Sequence, residues 1–246
     1  MTKRENVIAV LNHGHPATGR WGAVLYRPAT GAVVFAAGAE EFGDIIAAEF
    51  IRGAGVILAT EAPTSMIPGS YSVERPYELR YSRPWWKDSG RVGLTLYLAQ
   101  LPATLGAAMK AVAGVKTITA TAQPAVWQSG NADLLLIEAL TVGWMRTAVP
   151  GNANITPDQW DALCVAITVG HMIEEQDISS NVIGASNPHG AGVDVINLSA
   201  AIATWAGCHV NQADLHTPPV VISPLRDVYE EAANLAFNAV STQYAA

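Results

Sequence analysis

The chain opens with three short runs dominated by apolar residues, at 7–12, 21–26 and 32–37. Each has the length of a strand and is bounded by polar or turn-forming residues. Arg27-Pro28-Ala29-Thr30-Gly31 joins the last two, and a five-residue link holding Pro and Gly predicts a hairpin. Links this short make successive strands antiparallel. From 44 to 52 the apolar residues Ile45, Ala48, Phe50 and Ile51 recur at helical spacing, with Gly53 and Gly55 as the stop. Residues 56–61 read as a fourth strand, apolar through Ala59 and ending on Thr60 and Glu61. That continuous run suits a central strand covered on both faces.

Residues 62–91 form a long connection holding Pro63, Pro68, Pro76 and Pro84. Loops beyond about 12–15 residues in a compact domain usually carry function. A helix over 92–113, kinked near Pro102, is expected next, then a fifth strand at 115–120 and helices at 133–147 and 157–172. The start of the last is sharply marked: Thr156 as N-cap, Pro157 at the first helical position and Gln159 two further on make a capping box. From 178 to 197 the composition turns to Asn, Gly, Ser and Pro. Residues 199–206 and 224–240 read as helices, with a short strand at 220–223 between them. The order βββαβαβα(α) gives an α/β fold. One domain is expected over 1–176, with 177–246 as a helical C-terminal extension packed on it.

With 246 residues, 50% apolar and only 14% charged, the chain is not of the disordered class. Cys164 and Cys208 are too few for a disulfide framework and too far apart for a zinc spacing. No stretch reaches the roughly 18 uninterrupted apolar residues of a membrane span, and the start lacks a signal-peptide core. A reduced, cytoplasmic protein is therefore expected. The net charge of −7 argues against a surface coated in non-specific nucleic-acid contacts, while leaving room for a local basic patch.

Such a patch lies at 75–91. Arg75, Arg80, Arg83, Lys87 and Arg91 are five of the fourteen basic residues, and only Glu78 and Asp88 oppose them. Trp85 and Trp86, with Tyr77 and Tyr81, interleave. Arginines for phosphates and aromatics for bases make a nucleic-acid signature. A folded loop with Trp85-Trp86 in the core or at a dimer interface explains the same residues equally well. Glu61 ends a central strand, where open sheets place their sites, although a strand-end carboxylate turned to solvent is the plainer reading of Glu61 alone. Asp158 and Asp161 stand three apart in the first turn of a helix and so share a face. Acids favour first turns for electrostatic reasons alone. The wholly apolar Ala162-Leu163-Cys164-Val165-Ala166-Ile167 that follows puts Asp161 at the edge of the core, where a carboxylate needs a partner or a metal. His13-Gly14-His15 is an H-x-H, similar to the first metal ligands of amidohydrolase-type barrels. However, 246 residues with three early antiparallel strands fit an eight-fold βα repeat poorly.

Asp158-Gln159-Trp160-Asp161-Ala162-Leu163 resembles the helical motif of RuvC-type Holliday-junction resolvases, within the RNase H-like superfamily. The resemblance covers about residues 7–172. Glu61 matches that family's strand-four acid, Asp158 and Asp161 its helical pair, and Gln123-Pro124-Ala125-Val126-Trp127 a segment after strand five. Glu61-Ala62-Pro63 is also similar to a second RNase H-like family of uncharacterised proteins. The resemblance implies a mixed five-stranded sheet, three antiparallel strands followed by parallel βαβ units, flanked by helices. It implies metal-dependent phosphodiester hydrolysis with two Mg²⁺ or Mn²⁺ ions, nucleic acid (branched DNA included) as substrate, and a homodimer. The metal ligands would be Glu61, Asp158 and Asp161 together with Asn12 or His13. Asn12 departs from the family's strand-one aspartate. It keeps an oxygen donor and loses a charge, so either a histidine substitutes and favours a softer ion, or catalysis is lost. The alternatives are a non-catalytic RNase H-like scaffold for nucleic acid or protein, and a His-ligated hydrolase of amidohydrolase type.

Overall fold

The structure, a computed structural model, describes residues 5–12, 22–60, 65–66, 117–119, 134–141, 154–175, 196–197, 209–210, 220–222 and 226–243. The expected antiparallel trio is present as β1 (Asn6–Asn12), β2 (Gly22–Arg27) and β3 (Ala32–Ala36). The hairpin between β2 and β3 closes on Arg27, whose carbonyl accepts from Thr30 N–H at 3.2 Å and Gly31 N–H at 2.9 Å. Gly31 sits at φ +68°, which only glycine adopts without cost.

Helix α1 (Ala39–Ile51) begins earlier than the apolar spacing suggests. Phe42, buried in its first turn, continues the apolar stripe of Ile46, and Glu41 reaches back to accept from Ala37 N–H at 2.5 Å. The chain then turns through Gly53 at φ +78° into β4 (Gly55–Thr60), which lies parallel to β1 with Leu11 opposite Thr60.

On the other side of β4 lies β7 (Leu134–Thr141), also parallel, with Thr60 opposite Glu138. This corrects the helix expected over 133–147: residues 134–141 are a strand. Leu134-Leu135-Leu136-Ile137 is buried throughout, and a short fully buried run carries no periodicity to separate helix from strand. The expected strand near 115–120 is β6 (Thr117–Thr119), which pairs with the far side of the sheet through β7 instead of lying beside β4. The full order is β3-β2-β1-β4-β7-β6-β9, with β9 (His209–Val210) next to β6 and β10 (Val220–Ile222) paired to β7. A separate two-stranded sheet joins β5 (Ser65–Met66) to β8 (Ile196–Asn197). The core of the molecule is thus a mixed α/β sheet, antiparallel over β3-β2-β1 and parallel over β1-β4-β7, extended by short strands.

Strand pleating divides the buried residues between two layers. Ile8, Val10, Val24, Tyr26, Phe35, Ile57, Ala59, Leu135 and Ile137 share one core with α2 (Pro157–Glu175) and α3 (Arg226–Gln243). The alternate residues, Val7, Ala9, Leu11, Leu25, Val56 and Leu58, are equally buried and belong to the face that α1 covers with Phe42 and Ile46. The apolar run 162–167 of α2 is buried, as its sequence demands. Val228, Ala232 and Ala236 of α3 complete that core. The expected helices at 92–113 and 199–206 lie outside the described residues. Among the described residues no helix is long and apolar enough to cross a membrane.

One buried charge ties α1 to the sheet. Glu49 is only 2% exposed, and its Oε1 accepts from both Arg27 at the end of β2 and Arg52 just past α1. Arg27 is itself largely covered, and its Nε finds no acceptor. Removing the carboxylate would strand a half-buried guanidinium. Glu49→Ala is expected to cost about 3 kcal/mol in urea unfolding. A loss under 1 kcal/mol would mean that the two arginines contribute only as exposed surface ions do.

Candidate functional site

Three chain segments meet at the carboxyl end of β1. The first is β1 itself, whose last residue, Asn12, is 9% exposed and follows Ile8 and Val10 in the series of residues facing α2. The second is the start of β2, where Gly22 is the register partner of Asn12. The third is the first turn of α2. Its capping box forms as the sequence predicts: Gln159 N–H donates to Thr156 Oγ1 at 3.1 Å, and Thr156 N–H donates to Gln159 Oε1 at 2.9 Å. Trp160 N–H closes the first helical bond on Thr156 C=O at 2.9 Å, and the Trp160 ring is buried in the core at 2% exposure.

Gly22 joins these parts. A Cβ at this position would overlap the Asp158 carbonyl and lie 2.7 Å from Gln159 N. The main chain of α2's first turn therefore rests directly on β2, and Asn12 and Asp158 flank the glycine. The helix N-terminus stabilises a carboxylate such as Asp158 in its first turn.

Asp161 lies one turn further along, half-buried between Trp160 and Ala162. Its surroundings are legible in its neighbours' ionisation. Burial pushes the Cys164 thiol well above its ordinary value, and the Asp161 charge adds to the rise. Burial likewise raises the Tyr229 phenol of α3, with Cys164 and Asp161 contributing after it. The second acid of the helical pair thus stands within electrostatic reach of the α2–α3 seam. Asn12, Thr60, Asp158 and Asp161 all have interacting partners.

At its other end α2 is fastened by a second polar contact. Glu231 of α3 accepts from Tyr26 Oη of β2 at 3.1 Å and pairs with His171 Nε2 of α2 at 2.9 Å. This use of His171 was not visible in the sequence, because its partners come from elements distant in the chain.

Of the residues singled out from the sequence, Asn12, Asp158 and Asp161 are described. Glu61, His13, Arg75, Arg80, Arg83, Trp85, Trp86, Lys87 and Arg91 lie outside the described residues. Glu61 directly follows Thr60, the last residue of β4, and has the sequence parity of Ile57 and Ala59. Among the described residues no three His, Cys, Asp or Glu side chains are grouped to hold a metal ion. Asn12, Asp158 and Asp161 offer an amide oxygen and two carboxylates, the donor types that a hard cation takes. Sequence reasoning missed Gly22, because a glycine at the start of an apolar strand looks ordinary until its distant contact is known. It also missed Glu138, which stands in register with Thr60 in a segment expected to be helical.

The chain finds no match among family models, curated proteins or solved structures. The reading of the site therefore rests on its residues.

Two expectations follow. Thr156→Ala removes one arm of the capping box and is expected to cost about 1 kcal/mol in thermal or urea unfolding, whereas no loss would mean water replaces the cap. The folded state keeps the Cys164 thiol protonated, while the unfolded chain ionises it from about pH 9.0 upward. Stability is then unaffected by this group below that pH and falls above it, by up to about 1.4 kcal/mol per pH unit. Cys164→Ala is expected to make the alkaline decline shallower, and an unchanged slope would assign the decline to other groups.

Proposed function

We propose that this chain is a divalent-metal-dependent phosphodiester hydrolase built on an RNase H-like sheet and acting on nucleic acid, most like RuvC-type junction resolvases. The order β3-β2-β1-β4-β7, with three antiparallel strands followed by parallel ones, supports this reading. The observation that carries it is the meeting of β1's carboxyl end with α2's first turn across Gly22, which sets Asn12 and Asp158 at one corner of the sheet.

In this reading Glu61, Asp158 and Asp161 hold the cation through carboxylate oxygens, and Asn12 adds a neutral amide oxygen. An all-oxygen set suits Mg²⁺ or Mn²⁺. The bound metal would supply an activated water and a counter-charge for the leaving oxygen. Asn12 leaves the set one negative charge short of the resembling family. A contribution from His13 would favour Mn²⁺ over Mg²⁺. The segment 75–91, which follows Glu61 in the chain, would grip the phosphate backbone with its arginines and stack bases on Trp85 and Trp86. Nucleic acid and a second copy of the chain are the proposed partners.

The neutrality of Asn12 favours a second reading, a non-catalytic scaffold of the same fold that binds nucleic acid or protein. The amidohydrolase alternative draws no support: its fold needs an eight-fold parallel repeat, and the sheet here is mixed.

A labelled panel (four-way junction, flap, RNA–DNA hybrid, single strand) tested in Mg²⁺ and in Mn²⁺ separates the two. Metal-dependent cutting is expected, reduced at least 100-fold by Glu61→Gln and by Asp161→Asn in variants that keep the wild-type Tm within a few degrees. No cutting by the folded wild type with either metal would contradict the hydrolase and leave the scaffold.

A further inference from the structure

The α2–β2 contact has glycine at two points. At the far end Gly170 abuts side-chain tips: a Cβ there would lie 3.2 Å from Ile8 Cδ1 and 3.2 Å from Tyr26 Cε1. Those tips can move by a few tenths of an ångström. At the near end, Gly22 faces main chain, the Asp158 carbonyl and Gln159 N. Main chain in a capped first turn cannot step aside alone, because Gln159 and Trp160 are both bonded to Thr156. Any side chain at 22 therefore displaces the whole turn away from β2. Asn12, paired in register with Gly22, stays with the sheet. The displacement opens the gap between Asn12 and Asp158 in particular.

We infer that Gly22 is a positioning residue for the candidate site: its lack of a side chain seats the first turn of α2 on β2 and fixes Asp158 relative to Asn12. Its bearing on metal binding rests on the function proposed above, but the geometric part does not. Gly22 has no side chain to offer as a ligand. It acts through the main chain of Asp158 and Gln159, and its replacement moves a ligand without altering any ligand's chemistry.

The test compares wild type with Gly22→Ala and with Ile8→Val. The second trims the α2-facing core at its other end and serves as a control for generic loss of stability. In the wild type, an NOE between a Gly22 Hα and the Gln159 amide proton is expected, and its absence overturns the inference whether or not any variant folds. Gly22→Ala is expected to speed amide exchange at Gln159 and Trp160 more than tenfold and to weaken Mn²⁺ binding at least tenfold by titration calorimetry. Ile8→Val should lower Tm while leaving both readouts at wild-type values. Equal exchange rates in Gly22→Ala and the control would reduce Gly22 to ordinary packing and overturn the positioning role. If the wild type takes up no Mn²⁺, the metal reading fails, and the NOE and exchange results still decide the role of Gly22.

Discussion

The close seating of α2 on β2 is the constraint on which the rest of the molecule depends. Ala162 through Ile167 are buried, and each large apolar side chain among them contributes roughly 1.5–3 kcal/mol by leaving water. That burial drives the helix onto the sheet. The two glycines decide how near it comes and where along its length it touches. Gly22 admits the first turn and Gly170 admits the last third, so helix and strand run side by side with one register. The capping box then fixes where the helix begins, which fixes where Asp158 stands.

Polar ties hold the two layers without intruding on that corner. On one face Glu49 gathers Arg27 and Arg52. On the other, Glu231 joins Tyr26 to His171 and so binds β2, α2 and α3 together. Both ties involve the later part of β2, away from Gly22. The Glu49 carboxylate is buried and depends on its partners being present, whereas Glu231 and His171 are partly exposed. The carboxyl ends of β1, β4 and β7, where open sheets bear their chemistry, carry Asn12, Thr60 and Thr141.

What could be read from the chain follows from how local each signal is. The capping box at Thr156 and Gln159 was legible because four adjacent residues determine it. The antiparallel trio was legible because short links leave no other pairing. The start of α1 was placed late, since its apolar stripe was begun at Ile45 although Phe42, three residues earlier, is buried with it. β7 was misread as a helix because Leu134 to Ile137 are apolar on every side, and such a run lacks a period. At the site, Asn12, Asp158 and Asp161 could be nominated by residue type. The role of Gly22 could not, because it exists only through a contact with residues far away in sequence. The nearness of Asp161 to Tyr229 was hidden for the same reason.

The central claim is that the corner formed by β1, β2 and the first turn of α2 takes up a divalent cation. The most direct measurement is paramagnetic broadening of the amide spectrum of the full chain on titration with Mn²⁺. Broadening centred on Asn12, Gly22 and Asp158 to Asp161 is the expected result, with Ile51 and Gly53 at the end of α1 unaffected. Broadening centred elsewhere, or none at millimolar Mn²⁺, would contradict the claim.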